Sequence, residues 1–315
     1  MSRSAIGVCG YRPNSEKMTQ SHVLVTGING YIGRYLLNHQ PPSIRLSGTV
    51  RTPPDQAGIG LPQHLPVHIL NLEEEINSTL DRAEPDIIIH TAALANLAIC
   101  EKNPVLADAI NNRATAILAR WCAQRRVRLV YLSTDIVFRG NEPPYSESDK
   151  PNPVNVYGYS KWKGEEAVLS QLKDAVVLRM ALVLGRGLGG RRNFVDWFLD
   201  KLHRRATIPL FEDEVRTPTE VSSAARTIWQ IALSKETGIM HFCGQERINR
   251  FKLGQLLCNH LGYGHELLQP VSVHSMTDYP RPLDVSLLST RLFEGRTLSV
   301  PGISQMLPAI ISKNT

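Results

Sequence analysis

The side chains best suited to chemistry lie in the stretch Val156-Tyr157-Gly158-Tyr159-Ser160-Lys161-Trp162-Lys163-Gly164-Glu165. A tyrosine and a lysine four residues apart on a helix share one face, a single turn from each other. A free phenol titrates near pH ~10 and is a reluctant acid or base at neutrality. A neighbouring ammonium favours the phenolate and lowers that value. Such a pair suits the exchange of a proton with a substrate oxygen. Two pairs satisfy the spacing, Tyr157/Lys161 and Tyr159/Lys163, and the stretch alone does not choose between them. Either pair would equally serve as an ordinary solvated helix face.

A second constellation lies near the amino terminus. The apolar run Ser21–Thr26 is followed by Gly27-Ile28-Asn29-Gly30-Tyr31-Ile32-Gly33 and then by Arg34-Tyr35-Leu36-Leu37, which opens a helix. Strand, glycine turn and helix is the context that a dinucleotide-binding loop requires. The first glycine permits the tight turn, the second lets backbone N–H groups approach a diphosphate, and the third lets the helix pack close to the sheet. The diphosphate would sit at the positive end of that helix, within reach of Asn29, Tyr31 and Ile32. The spacing is Gly-x-x-Gly-x-x-Gly, not the commoner Gly-x-Gly-x-x-Gly. The second strand, Ile44 to Val50, ends at Arg51, where an NAD enzyme usually carries an acidic residue. A guanidinium suits a 2′-phosphate, so NADP(H) is the expected cofactor.

These residues need elements to position them. Pro66–Leu70 reads as a third strand with Asn71-Leu72 at the adenine edge, Glu73–Ala83 as a helix, and Asp86–His90 as a fourth strand. Ala92-Ala93-Leu94 after that strand are small enough at the start for a cofactor to lie against backbone. His90 is read as a core histidine without a catalytic role. A long helix is expected over Pro104–Gln124, carrying Asn111 as a cofactor contact. The fifth strand, Val127–Leu132, delivers Ser133-Thr134-Asp135 at its carboxyl end, the edge where ligands bind in open α/β sheets. Phe138–Asn155 reads as a long loop and Ala175–Arg179 as a further strand. The alternation predicts an α/β fold, a Rossmann-type doubly wound parallel sheet.

After Leu184 the pattern becomes shorter and more broken. Gly185–Arg192 is a mobile basic loop, Asn193–Arg204 a helix, and the remainder is expected to form a smaller carboxy-terminal substrate-binding subdomain. The division predicted is 1–20 as a disordered extension, 21–184 as the NADP-binding domain and 185–315 as the substrate-binding part, with 219–242 returning to the sheet.

Composition narrows the class. Of 315 residues 42% are hydrophobic and 20% charged, as in an ordinary globular protein. A net charge of +6 is compatible with an anionic ligand, but the basic residues are scattered and no nucleic-acid motif is present. The five cysteines are odd in number and none forms a Cys-x-x-Cys pair, so neither a disulfide framework nor a zinc site is expected. Reduced thiols point to the cytoplasm. No apolar run is long enough to span a membrane, and no metal is expected.

Taken together, Gly27–Gly33, Ser133-Thr134-Asp135, Tyr157–Glu165 and Arg216-Thr217-Pro218-Thr219 resemble the extended short-chain dehydrogenase/reductases, and within them the dTDP-4-dehydrorhamnose reductases. The resemblance covers roughly residues 20 to 300. In the family a glycine follows the catalytic tyrosine and a serine precedes the lysine, so Gly158 and Ser160 select Tyr157 and Lys161. Thr134 matches the third catalytic hydroxyl. The resemblance implies an NADP-dependent oxidoreductase that reduces a keto group on a nucleotide-linked 4-keto-6-deoxy sugar. Tyr157 would protonate the oxygen and also contact the cofactor, Thr134 would hydrogen-bond the oxygen, and Lys161 would lower the phenol pKa and hold the nicotinamide ribose. Asn193 and Arg216 would join Thr134 in binding substrate, and Arg191 and Arg192 would either meet a diphosphate or form a solvated loop. Two other readings fit the same motifs: a non-catalytic NADP-binding regulatory subunit similar to that of methionine adenosyltransferase, and a sugar-nucleotide epimerase or dehydratase. The expected partner is a small molecule, with neither nucleic acid nor membrane, and a homodimer stays open. Leu94-Ala95-Asn96-Leu97 and Tyr279-Pro280-Arg281-Pro282 depart from the family pattern, which bears on the substrate more than on the fold.

Overall fold

The computed structural model describes residues 20–53, 60–276, 278–292 and 300–312. The expected amino-terminal extension, apart from its last residue, lies outside the described residues, as does Cys9.

The short apolar runs become strands: β1 (His22–Thr26), β2 (Arg45–Val50), β3 (Val67–Ile69), β4 (Ile87–His90), β5 (Arg128–Thr134) and β6 (Ala175–Met180). With the strand Gly238–Phe242 they form a parallel seven-stranded sheet, and from that strand inward the order is β6, β5, β4, β1, β2, β3. In register, Val23 of β1 faces Leu46 on one side and Ile87 on the other. Alternate residues serve opposite faces, as strand geometry requires. Val23 and Val25 join one apolar cluster with Leu36, Val130 and Ile228, while Leu24 joins another with Ile88, Leu118 and Val177. After β3 the chain crosses back to the other side of β1, so the order reverses between β1 and β4. The crevice above that reversal is where ligands lie in sheets of this kind.

Three elements differ from their sequence-based expectation. The helix expected from Glu73 begins at Asn77. The Asn71 carboxamide accepts the Glu73 N–H at 3.2 Å and the Asn71 carbonyl accepts the Glu74 N–H at 3.1 Å, holding a turn there. The long helix is interrupted: a π turn at Ala109–Arg113 separates Pro104–Asp108 from Ala114–Arg125. A widened turn of that kind recurs at functional sites. Finally, β5 continues through Ser133 to Thr134 instead of stopping at Leu132.

The chain beyond Leu184 occupies two places. The helix Val221–Ala232 packs beside the helix Tyr31–Asn38, with Trp229 Nε1 donating to the Leu36 carbonyl at 2.9 Å, and Gly238–Phe242 pairs with β6. The other pieces are small: Ile208–Phe211 pairs with Leu268–Val271 and Val215–Arg216 with Ile248–Asn249, next to the helices Phe194–His203 and Arg250–Leu261. Among the described residues no helix is long and apolar enough to cross a membrane.

Candidate functional site

The chemistry-bearing stretch is a helix, Val156–Gln171, capped by the Asn155 side chain, which accepts the Gly158 N–H at 2.8 Å. A Cβ on Gly158 would run into the Ile136 carbonyl and stand 2.9 Å from Pro153 Cβ. Only a glycine lets the helix start press so close to the turn Asp135–Val137 that leaves β5. That approach sets Tyr157 beside Thr134. Lys161 is 2% exposed, its Nζ donates to the Leu132 carbonyl at 2.7 Å, and it lies 4.0 Å from the centre of the Tyr131 ring. Tyr159, by contrast, is 51% exposed, and Lys163 pairs with Glu166 at 2.7 Å on the outer face. The pair turned toward the strand ends is Tyr157/Lys161.

Burial governs the electrostatics. It pushes the Tyr157 phenol well above its ordinary value, the Asp135 carboxylate adds to the rise, and the Thr134 hydroxyl opposes it. Burial also pushes the Lys161 amine down to about 7, with Glu165 opposing. Desolvation outweighs the lowering expected from Lys161. Both groups lose solvation, and the lysine is tied to a backbone carbonyl. Behind them Glu165 and Arg179, both almost fully buried, form a two-pronged ion pair at 2.8–3.1 Å, and Ser133 Oγ donates to the same carboxylate. Thr134 Oγ1 accepts the Ile136 N–H at 3.2 Å and donates to Asp135 Oδ1 at 3.1 Å. A hydroxyl has two lone pairs, so one remains toward Tyr157.

Arg216 is buried between two carboxylates. It is 3% exposed, 3.3 Å from Asp135 and 3.1 Å from Glu214, and Glu214 also binds Arg250 at 3.1 Å and Arg281 at 2.5 Å. Burial would raise the Glu214 pKa, but the three guanidiniums overcome it and hold the carboxyl far below its usual range. Arg216, expected at the substrate, thus belongs to a buried ion-pair network that reaches Asp135, next to Thr134.

The glycine loop opens on a cavity of about 420 Å³. Gly27, Asn29, Gly30, Tyr31, Arg51, Asn71, Leu72, Thr91, Ala92, Ala93 and Leu94 line it, joined by Thr49 and Ile110, which sequence reasoning missed. Gly27 has φ +65°, and a Cβ on Gly33 would meet the Gly27 carbonyl at 2.5 Å. The loop thus has the tight turn and the close helix approach that a diphosphate cradle needs. Arg51, Arg191 and Arg192 supply cations in its wall, so the donor set fits a phosphate-bearing dinucleotide. Ile32 packs against the core, behind the wall. Asn111, expected to touch the cofactor, clamps the Leu94 backbone to the helix that carries Ser160. Its carboxamide accepts the Leu94 N–H at 2.9 Å and donates to the Leu94 carbonyl and to Ser160 Oγ, both at 3.0 Å. The π turn thereby ties the cavity floor to the Tyr157 helix. His90 is held neutral, its pKa pushed down to about 3 by burial and by Lys161, between Thr26 and Thr115.

A further cavity of about 330 Å³ is lined by Asn193, Phe194, Trp197, Phe211, Arg250 and Arg281 among others. Asn193 lies in this wall, but its side chain accepts the Val195 and Asp196 N–H groups and caps the helix Phe194–His203. Aromatic rings beside two guanidiniums can receive a flat ring and its phosphates. No spacing in the sequence joins Arg250 to Arg281; only the shared Glu214 does.

Residues 21–314 match the family model of the RmlD substrate binding domain. The "Probable low-salt glycan biosynthesis reductase Agl14" of Haloferax volcanii is 33% identical over 69% of this chain and 73% of its own. The methionine adenosyltransferase 2 subunit beta of Mus musculus is 28% identical over 98% of this chain and 93% of its own. Among solved structures, the dTDP-4-dehydrorhamnose reductase of Bacillus anthracis in complex with NADP superposes with a TM-score of 0.81 at 23% identity, covering 92% of this chain and 98% of that one.

Proposed function

The chain belongs to the RmlD substrate binding domain family, a branch of the extended short-chain dehydrogenase/reductases, and from that premise we propose that it is an NADP(H)-dependent reductase of the keto group on a nucleotide-linked 4-keto-6-deoxy sugar. The observation that carries the reading is the Tyr157/Lys161 pair beside Thr134, the lysine buried and the tyrosine half-buried, at the sheet edge that also bears the glycine-loop cavity. The cofactor, when bound, supplies the hydride that reduces the ketone carbon. Tyr157, kept protonated by burial and by Asp135, donates its proton to the oxygen, which as an alkoxide is the stronger base. Thr134 turns its hydroxyl from Asp135 to that oxygen and holds it in place. Lys161, fixed on the Leu132 carbonyl, orients the ribose next to the reacting ring.

In this reading residues 21–184, with the helix Val221–Ala232 and the strand Gly238–Phe242, hold the dinucleotide. The rest of 185–315 covers the sugar nucleotide, with Phe194, Trp197 and Phe211 against its base and Arg250 and Arg281 toward its phosphates. Arg51 selects the 2′-phosphate. The assay is NADPH consumption over a panel of nucleotide-linked 4-keto-6-deoxy sugars, with turnover expected for at least one of them. The near full-length alignment with methionine adenosyltransferase 2 subunit beta supports a second reading, a subunit that binds the dinucleotide without turning it over. Tight NADPH binding with no consumption on any sugar, together with capture of a stoichiometric enzyme partner, would favour that one.

A further inference from the structure

Arg191 and Arg192 come from the far side of Leu184, yet they stand in the wall of the glycine-loop cavity and not in that of the aromatic cavity. Arg191 Nε donates to the carbonyl of Asn29, inside the Gly27–Gly30 turn, at 3.3 Å. Arg192 is 3.3 Å from Asp200 on the helix Phe194–His203, and both arginines are exposed at the tip of their segment. The base of that segment is fastened on both sides. Tyr35, on the helix that follows the glycine loop, donates its hydroxyl to the Arg186 carbonyl at 2.9 Å. Asn193 donates to the Gly185 carbonyl at 2.8 Å, and Asp196 receives Arg186 Nε and the Gly187 N–H, both at 2.7 Å. Gly189 and Gly190, at φ +58° and +77°, make the tip between these anchors.

We propose that Arg191 and Arg192 form a second grip on the diphosphate of the dinucleotide, opposite the backbone of the glycine loop; the proposal rests on the reading of that cavity as the cofactor site. The position favours the diphosphate over the 2′-phosphate. Arg191 touches the turn whose backbone faces a diphosphate, whereas Arg51 stands at the end of β2, where the adenosine ribose lies. The lining contains one carboxylate, Glu73, against the three guanidiniums, so the cavity is an electropositive one. Because the arginine segment leads directly into Asn193 and Phe194, an occupied cofactor site also holds the entrance of the helix that lines the aromatic cavity. Cofactor binding thereby prepares the substrate side.

The experiment is a fluorescence titration of the full chain with NADPH and with NADH, on wild type, R191A/R192A and R51A. A charge-assisted contact of this kind is worth about tenfold or more in affinity. The double variant is expected to weaken both nucleotides by the same factor, and to make binding less sensitive to salt. R51A is expected to weaken NADPH alone. Unchanged affinity of R191A/R192A for both nucleotides overturns the proposal, and so does a loss confined to NADPH, which would assign the pair to the 2′-phosphate. A wild-type chain that binds neither nucleotide overturns instead the reading of the cavity. Melting temperatures without ligand establish that the variants are folded, and R191Q and R192Q repeat the comparison with smaller changes of side chain.

Discussion

Glu165→Gln separates the fold from the chemistry in one substitution. Glu165 is 1% exposed and receives three contacts from Arg179 at 2.8–3.1 Å, and Arg179 is itself 1% exposed. Removing the charge from one side leaves a buried guanidinium without its counter-ion, which costs about 3–5 kcal/mol. Against a total stability on the order of 5–15 kcal/mol, that is roughly a fifth or more of what holds the chain folded. Glu165 also supports the Lys161 ammonium, whose pKa burial has already pushed down to about 7. In the variant that midpoint moves lower still, so at neutral pH more of Lys161 is uncharged. Urea unfolding reads the first effect, and isotope-edited NMR of the lysine side chains against pH reads the second. The pair-replacing variant E165L/R179M, which leaves no orphaned charge, should recover most of the stability and none of the lysine shift. A loss for Glu165→Gln below about 1 kcal/mol, the scale of an exposed pair, would refute the reasoning, as would a Lys161 midpoint that stays in place.

Two further outcomes follow from the same helix. Between about pH 7 and the ordinary lysine value of 10.5 the unfolded chain holds a proton on Lys161 that the folded chain has shed, so this group makes stability rise with pH across that window. The rise is at most about 1.4 kcal/mol per unit, and urea melts of Lys161→Met should lack it. Gly158→Ala must push the helix start away from the Ile136 carbonyl, which displaces Tyr157 from Thr134. Turnover should fall by up to ~100-fold while NADPH affinity holds, as kcat and binding measurements together would register.

The parallel sheet was legible because its strands are short apolar runs separated by turn signals, and the glycine loop because each glycine answers a steric demand that Gly27 and Gly33 display. The overlap of Tyr157/Lys161 with Tyr159/Lys163 needed more than spacing. Burial of one face distinguishes them, and Gly158 and Ser160 are its traces in sequence, one for close approach to β5 and one for the Asn111 clamp. What stayed hidden depends on contacts across long stretches of chain. Arg216, read as a substrate contact, has no link in sequence to Arg250 and Arg281; Glu214 gathers all three. Asn111 sits in a π turn and bonds Leu94 and Ser160, partners that lie far from it in the sequence. Spacing conveys proximity but not desolvation, and desolvation is the larger effect for both Tyr157 and Lys161.

The central claim is that Tyr157 gives the proton. It is tested most directly by the rate of NADPH oxidation by Tyr157→Phe beside wild type, on the sugar nucleotide that wild type turns over. Loss of a general acid should lower kcat by about 10²–10⁴-fold, with NADPH affinity unchanged, because the phenol oxygen alone is removed. Full turnover by Tyr157→Phe would contradict the account.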